Sequence, residues 1–177
     1  MKFSPETLRS KPGAAFALFL FLVAGFEGLS LTGYLDVAGV ATYCYGQTGP
    51  GAVVGKRYPK ELCDRLLSES GTEAWEAANR RVTRDMLPWQ WIAFADFIYN
   101  FGERAFAEST LLRRFNAGDT IGACNELSRW NKAFDPRLGR KVVFTGLVNR
   151  RRVEWLLCMG YAFDEFYSPN HRPQVTP

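Results

Sequence analysis

The feature that most constrains this chain is an apolar run, residues 13–26, which contains no polar side chain. Such a run must leave water on folding, either into a protein core or into a lipid bilayer. The preceding segment, residues 1–12, carries three basic side chains against one acidic side chain, which is the layout of an export signal. The run is shorter than the ~20 residues of a comfortable membrane span. We therefore treat residues 13–26 as a signal-anchor-like helix that follows a basic N-terminal segment.

Two other interpretations of the apolar run stay open. It could be the first helix of the folded domain, buried against the rest, although a buried surface helix normally keeps one polar face and this run has none. It could also be a signal that is cleaved near Val23-Ala24-Gly25. The three interpretations place the apolar run in a bilayer, in the protein core, or in a segment that is removed from the mature protein.

After the apolar run the pattern changes to short β-like pieces separated by glycines. Glu27 falls near the end of the helix, and Asp36 falls on a predicted hairpin that continues to Thr42. Cleaving a glycosidic bond needs one carboxyl that delivers a proton and a second that is ionised, in unlike surroundings. Glu27 follows apolar residues and suits the acid role, whereas Asp36 lies among glycine and polar residues. Taken alone, the same two residues would be a helix cap and a turn residue.

Seven segments, in order along the chain, carry a resemblance to a known family. They are Glu27-Gly28-Leu29, the hairpin from Tyr34 through Asp36 to Thr42, Tyr45-Gly46-Gln47-Thr48, Phe97-Ile98-Tyr99-Asn100-Phe101-Gly102, Ser109-Thr110-Leu111-Leu112-Arg113, Ser128-Arg129-Trp130 and Gly146-Leu147-Val148-Asn149-Arg150-Arg151. In this order and spacing they resemble the phage-type lysozymes, a glycoside hydrolase family. The resemblance covers about residues 15–160.

The resemblance implies an α+β, two-lobed lysozyme-like fold, in which a small lobe holds the β-hairpin and the C-terminal lobe is mostly helical. It implies that Glu27 is the general acid, that Asp36 is the base or charge stabiliser, and that Thr42 positions a water. It further suggests substrate-binding roles for the four residues Tyr34, Asn100, Arg150 and Arg151. Gln47 stands where the family usually has a histidine that braces the hairpin.

The same resemblance implies an N-acetylmuramidase that cuts bacterial peptidoglycan without a cofactor and lyses the host cell. We expect a monomer whose partners are peptidoglycan and, through the apolar segment, the inner membrane. Some members of the family are tethered by an uncleaved N-terminal helix and released when the membrane is depolarised. We therefore expect the protein to lie in the host inner membrane facing the periplasm, or in the periplasm after release. The alternative is an enzyme that stays in the cytoplasm until a holin releases it.

Two other functions fit the residues. The first is a non-catalytic, cationic protein that binds the wall or perturbs membranes, whose effect would not depend on Glu27. The second is hydrolysis of a different glycan, such as chitin. The Arg150-Arg151-Arg152 run likewise has two interpretations. It could be a solvated helix face, or one of the first two arginines could bind the glycan or pair with Glu27 or Asp36.

The net charge of +4 and a pI near 9.0 favour a polyanionic partner. No zinc pattern and no basic region linked to heptads appears, so we expect no nucleic acid. The single histidine, His171, lies in a proline-rich tail, which argues against a Ser-His-Asp or Cys-His enzyme. The four cysteines have no Cys-x-x-Cys spacing, so we expect no metal site.

The cysteines are expected to form one disulfide in each half of the chain, Cys44–Cys63 and Cys124–Cys158, if the protein reaches an oxidising compartment. Four reduced, buried thiols are the alternative.

Several helices are expected in the second lobe. The first begins at Pro59 and runs to about Arg81 with an interruption at Ser70-Gly71, and another begins at Pro88. Residues 131–145 are expected to be irregular and to lead into the last helix. Residues 161–177 form a tail, which we expect to be disordered from residue 168.

Overall fold

The computed structural model describes residues 12–36 and 39–160. The expectations for the basic segment, residues 1–12, lie outside the described residues except at Pro12, and those for the tail, 161–177, lie outside them entirely. The apolar run forms helix α1, Pro12–Glu27. Among the described residues, no helix combines the length and the apolarity that a membrane span needs.

Helix α1 packs into the core of the folded domain. Leu18, Phe19 and Val23 are at most 3% exposed and contact the helices that follow. A mature chain that began after Gly25 would lack all three of these core side chains. The folded state therefore uses the run as its first core helix.

The small lobe is an antiparallel hairpin of β1, Ser30–Leu35, and β2, Ala41–Cys44. The loop that follows returns along β1 and forms hydrogen bonds with Gly33 through Lys56 and Gly55. A β-carbon at Gly33 would lie 2.1 Å from the Val53 carbonyl oxygen, so only glycine permits this approach. The hairpin predicted to carry Asp36 and Thr42 is confirmed.

The second lobe is mostly helical. Its helices are α2 Lys60–Arg81, α3 Pro88–Phe101, α4 Glu103–Ala107, α5 Thr110–Asn116, α6 Thr120–Glu126, the 3-10 turn Leu127–Arg129 and α7 Thr145–Cys158. A second hairpin, β3 Lys132–Asp135 and β4 Arg140–Val143, precedes α7. The architecture confirms the α+β class that the sequence predicts.

Helix α3 is the centre of this lobe and packs against α1, α2 and α7. Its residues Ile92, Phe94 and Phe97 are fully buried. Phe94 meets the ring of Phe115 edge-on at 4.8 Å, and Phe97 meets Trp130 in the same way at 4.9 Å. Aromatic burial of this kind supplies a large part of the apolar free energy of a domain. A side chain that projects from α3 is consequently held in a rigid frame.

Two disulfides tie the elements together. Cys44–Cys63 joins β2 to α2, and Cys124–Cys158 joins α6 to the end of α7. These are the two pairings within each half that the sequence suggests, and they require an oxidising environment. The first holds the hairpin of β1 and β2 on the helical lobe.

Two expectations about the helical lobe are wrong. Helix α2 runs through Ser70-Gly71 without interruption, and Gly71 lets α1 approach, because a β-carbon there would lie 2.4 Å from Leu20 Cδ2. Residues 132–143, expected to be irregular, form the second hairpin. Their alternation of polar and apolar residues is weak because most residues of this hairpin are exposed, so burial imposes no pattern on either face.

Candidate active site

Glu27 is the last residue of α1, and Gly28, with φ of 68°, ends the helix. The Glu27 side chain is 22% exposed, and its Oε1 accepts a hydrogen bond from Arg150 Nη1 at 2.5 Å. On the other side, a β-carbon at Gly46 would lie 2.8 Å from Glu27 Oε2. The carboxyl therefore sits between the end of the first hairpin and helix α7, where it is partly open to solvent.

Arg150 links three helices through its guanidinium group. It donates to Glu27 on α1 and makes two parallel hydrogen bonds of 2.9 Å to the carboxylate of Asp96 on α3. Its guanidinium carbon also lies 5.0 Å from the centre of the Phe26 ring. Burial by itself disfavours the charge of Arg150, but the carboxylates of Asp96 and Glu27 outweigh burial and raise its pKa. Arg150 is therefore a fixed cation that orients the Glu27 carboxyl.

Asp36 and Thr42 are fixed to a single residue, Val40. The backbone N–H of Val40 donates to Asp36 Oδ1 at 2.8 Å, and the Thr42 hydroxyl donates to the Val40 carbonyl at 3.0 Å. Thr42 is only 4% exposed and lies opposite Tyr34 in the hairpin register. With its hydrogen engaged, the Thr42 oxygen presents lone pairs that can accept a hydrogen bond from a water. The turn thus holds the carboxylate and the hydroxyl together.

Gln47 braces the loop between β2 and α2. Its side-chain oxygen accepts from the Tyr45 N–H at 2.7 Å, and its amide nitrogen donates to the Tyr99 hydroxyl at 3.1 Å. The Tyr99 hydroxyl in turn donates to the Tyr45 carbonyl at 3.1 Å. Burial, and then the negative charge of Glu27, raise the pKa of Tyr99, so this phenol stays a donor. The Gln47 side-chain amide therefore provides both the donor and the acceptor that hold this loop, and an amide does not titrate.

Arg151 is held in the interior, next to Arg150. It is 2% exposed, pairs with the buried Glu154, and its guanidinium lies 4.8 Å from the Phe101 ring and 5.3 Å from the Phe97 ring. Burial lowers the pKa of Arg151, and burial raises the pKa of Glu154 despite the opposing charge of Arg151.

The predicted glycan-binding roles of Arg150 and Arg151 are therefore wrong. At 4% and 2% exposure, neither side chain has a surface that a polysaccharide could contact. The solvated-face alternative is wrong for the same reason, and only Arg152 of the three is exposed. The expectation that one of these arginines pairs with Glu27 holds for Arg150.

Tyr34 and Asn100 stay predictions as substrate contacts. Tyr34 is 39% exposed on the hairpin, beside Thr42, where a bound glycan could reach it. Asn100 is half-buried near the end of α3, and its Oδ1 has no hydrogen-bond partner among the residues that the structure describes.

Sequence reasoning did not find Asp96, Tyr99 or Glu154. A signal for Asp96 was present, because it is the only charged residue of the apolar helix α3, and a lone buried carboxylate needs a cation. Glu154 gave no signal, because its spacing of three from Arg151 is that of an ordinary surface ion pair.

The comparison with known proteins assigns the family. The family model described as phage lysozyme matches residues 24–154, a range that includes Glu27, Asp36, Thr42 and Arg150. The chain belongs to the phage lysozyme family. This lysozyme is 41% identical to the SAR-endolysin of Escherichia phage Mu over 128 residues, which cover 72% of this chain and 71% of that protein.

Solved structures give the same result. The lysozyme resembles an endolysin from Escherichia coli O157:H7 phage FAHEc1, with a TM-score of 0.72 and 30% identity over 80% of this chain and 90% of that one. It also resembles the muramidase domain of SpmX from Asticaccaulis excentricus, with a TM-score of 0.71 and 30% identity over 80% of this chain and 95% of that one. The resemblance inferred from the seven segments is confirmed, and so is the enzyme class, lysozyme.

Replacing Asp96 tests the buried ion chain. Asp96→Ala leaves Arg150 with one carboxylate instead of two, so we expect the free energy of unfolding to fall by about 3–5 kcal/mol. Urea unfolding monitored by circular dichroism measures this change. The matched control is Glu69→Ala. The side chains of Glu69 and its partner Arg65 are 59% and 67% exposed, so their ion pair should contribute about 0–1 kcal/mol. Equal losses in both variants would show that Arg150 does not depend on Asp96.

The raised pKa of Glu154 predicts a pH dependence of stability. Above the ordinary carboxyl value of 4.5, folded Glu154 keeps a proton that the unfolded chain has released. The free energy of unfolding that this proton contributes therefore falls as pH rises from 4.5 towards the folded-state pKa. Glu154→Gln cannot titrate, so urea unfolding between pH 5 and pH 8 should show a shallower decline for the variant than for the wild type. Parallel curves would contradict the prediction.

Proposed function

We propose that this phage lysozyme is an endolysin that hydrolyses the β-1,4 bond between N-acetylmuramic acid and N-acetylglucosamine in peptidoglycan and so lyses the host cell. The single observation that carries the proposal is the way Arg150 holds the Glu27 carboxyl in place, with Asp96 fixing the arginine from behind. A partly exposed carboxyl held rigidly by a buried cation is a positioned proton donor or acceptor, and not a surface cap.

The three predicted catalytic residues have complementary tasks in this reaction. Glu27 delivers a proton to the leaving glycosidic oxygen as the bond from carbon C1 to that oxygen breaks. Asp36 stabilises the positive charge that develops on the sugar and takes a proton from the attacking water, whose oxygen forms the new bond to C1. Thr42, with its hydrogen donated to Val40, orients that water.

Peptidoglycan is favoured over chitin by charge. The chain carries a net charge of +4, and the bacterial wall is rich in carboxylates, whereas chitin is neutral. Chromatography of the products from both polymers would distinguish the two substrates. Release of muropeptides from walls without cleavage of chitin supports the proposal, and cleavage of chitin alone would contradict it.

We further propose that α1 engages the inner membrane before the enzyme folds and that the enzyme acts in the periplasm. Four residues of α1, spaced four apart along one side, are exposed in the folded lysozyme: Gly13, Ala17, Phe21 and Gly25. A helix that only has to fill a protein core carries polar residues on such a stripe. Phe21 is 64% exposed, so packing gives no reason for a phenylalanine at this position. Insertion of α1 into lipid before folding would give a reason for an apolar side chain there. The relative from phage Mu is named a SAR-endolysin.

The two environments of α1 exclude each other. Leu18, Phe19 and Val23 cannot lie among lipid chains and in the core of the enzyme at the same time. Glu27 ends the same helix, so it meets Arg150 only when α1 is packed in the fold. Membrane engagement would thereby keep the catalytic site unassembled.

Glu27→Gln tests the catalytic proposal. We expect the rate at which purified bacterial walls lose turbidity to fall by at least ~100-fold, because glutamine cannot deliver a proton. The control is Glu108→Gln, which changes a carboxylate just after α4 that is 67% exposed and paired with Arg104, and this variant should clear walls at the wild-type rate. Undiminished clearing by Glu27→Gln would favour the non-catalytic, wall-binding or membrane-perturbing alternative.

Phe21→Asp tests the membrane proposal in a Glu27→Gln background, where the cells are not lysed. A central aspartate disfavours membrane insertion by about 2.5–3.5 kcal/mol. We expect the parent in the membrane pellet of fractionated cells and the Phe21→Asp protein in the soluble fraction. Ile121→Asp, at a position equally exposed at 64%, should fractionate like the parent. Phe21→Asp with native Glu27 should still clear purified walls, because Phe21 is mainly in solvent. Identical fractionation of all three proteins would contradict membrane engagement by α1.

A further inference from the structure

The hairpin formed by β3 and β4 has one face that the fold leaves uncovered. In the antiparallel register Lys132 lies opposite Val143, and Phe134 lies opposite Lys141. Directly opposed residues point to the same side of a hairpin, and so do alternate residues along a strand. These four side chains, which we call the ribbon face, therefore share one side, and all four are exposed.

The ribbon face combines cations with apolar groups in a checkerboard. Each cross-strand pair joins one lysine to one apolar side chain, and Phe134 and Val143 are 53% and 55% exposed. Within residues 12–36 and 39–160, neither Lys132 nor Lys141 forms an ion pair. The acidic residue of the hairpin, Asp135, is on the opposite side, buried, and paired with Arg137.

The tip of the hairpin continues the same chemistry. Leu138 is 57% exposed, and Arg137 and Arg140 flank it in solvent. The root is fixed, because Phe144 donates to the Asn131 carbonyl and the neighbouring Trp130 packs on the core. The strands otherwise pack mainly against each other, and a two-stranded hairpin alone is marginally stable in water. The fold thus presents an amphipathic, cationic ribbon on a rigid base.

We propose that the ribbon face binds the surface of an anionic phospholipid bilayer. Apolar side chains of an interfacial element enter the boundary between head groups and acyl chains, while the lysine amines reach the anionic head groups. Phe134 and Val143 have the first role and Lys132 and Lys141 the second. The carboxylate-rich wall offers charge to the two amines but no apolar layer, and a soluble acidic peptide likewise offers no apolar layer for two separated apolar side chains. This surface is independent of α1 and of catalysis, and it operates in the folded enzyme.

The test is co-sedimentation of the full-length lysozyme with two kinds of vesicle, one of phosphatidylglycerol mixed with phosphatidylcholine and one of phosphatidylcholine alone. The variant Phe134→Ser/Lys141→Gln removes one apolar group and one charge from the ribbon face. We expect its affinity for the anionic vesicles to be lower by on the order of tenfold, because each lysine and each buried apolar group contributes to interfacial binding. The matched control, Ile121→Ser/Arg113→Gln, changes an exposed apolar group and one charge elsewhere and should bind like the wild type.

The outcomes separate this surface from α1 and from the catalytic proposal. Binding to anionic vesicles that is lost only in the ribbon variant supports the proposal. Equal binding by the wild type and the ribbon variant would overturn the proposal and assign vesicle binding to α1. Equal binding of the wild type to both kinds of vesicle would also overturn it, because the lysine amines would then have no role. If the ribbon variant lost binding to lipid-free walls but kept its binding to vesicles, the proposal would also be overturned, and the ribbon face would be a wall contact. The ribbon variant should clear lipid-free walls at the wild-type rate, which shows that it is folded whether or not lipid binding changes.

Discussion

The buried cation Arg150 is the interaction on which the rest of this lysozyme depends. Its guanidinium group joins the end of α1, through Glu27, to the centre of α3, through Asp96. An arginine suits this position because its planar fork donates to Asp96 with two bonds and still has a nitrogen for Glu27. The charge is costly to bury, and the two carboxylates compensate for that cost only while all three helices are in place. The orientation of the Glu27 carboxyl, the proposed catalytic acid, is therefore a property of the whole helical lobe.

The first hairpin is attached to this frame by several different means. The disulfide Cys44–Cys63 holds β2 on α2, and the Gln47 amide ties the following loop to Tyr99 on α3. Gly46 allows the backbone to lie against the Glu27 carboxyl, both because its φ is 80° and because a side chain would collide. Local hydrogen bonds to Val40 then help to hold Asp36 and Thr42 in their places. A rigid base and a short turn are enough to hold a site that two lobes share.

Helix α1 is apolar on both its buried and its exposed side. Its buried side fills the core through Leu18, Phe19 and Val23, and Gly71 on α2 permits the close approach. Its exposed side has no polar residue, which costs little on one narrow stripe and keeps the segment compatible with lipid. Because Glu27 ends this helix, the position of the helix decides whether the ion pair with Arg150 can form. Under the membrane proposal, the location of the enzyme and the assembly of its catalytic site are therefore linked through a single peptide segment.

The sequence by itself determined the family, the α+β class, the hairpin that carries Asp36 and Thr42, and the position of Glu27 at a helix end, since these depend on local order and spacing. For the 150–152 run it left several interpretations open, of which a pairing of one arginine with Glu27 or Asp36 was one. Only the tertiary structure decided that Arg150 and Arg151 are buried and that Asp96 and Glu154 are their partners. Local patterns cannot give such results, because a run of arginines on a helix reads as a solvated face until another helix covers it. The continuity of α2 through Gly71 and the ribbon at residues 132–143 were likewise decided by packing between distant segments, which no window of the sequence contains.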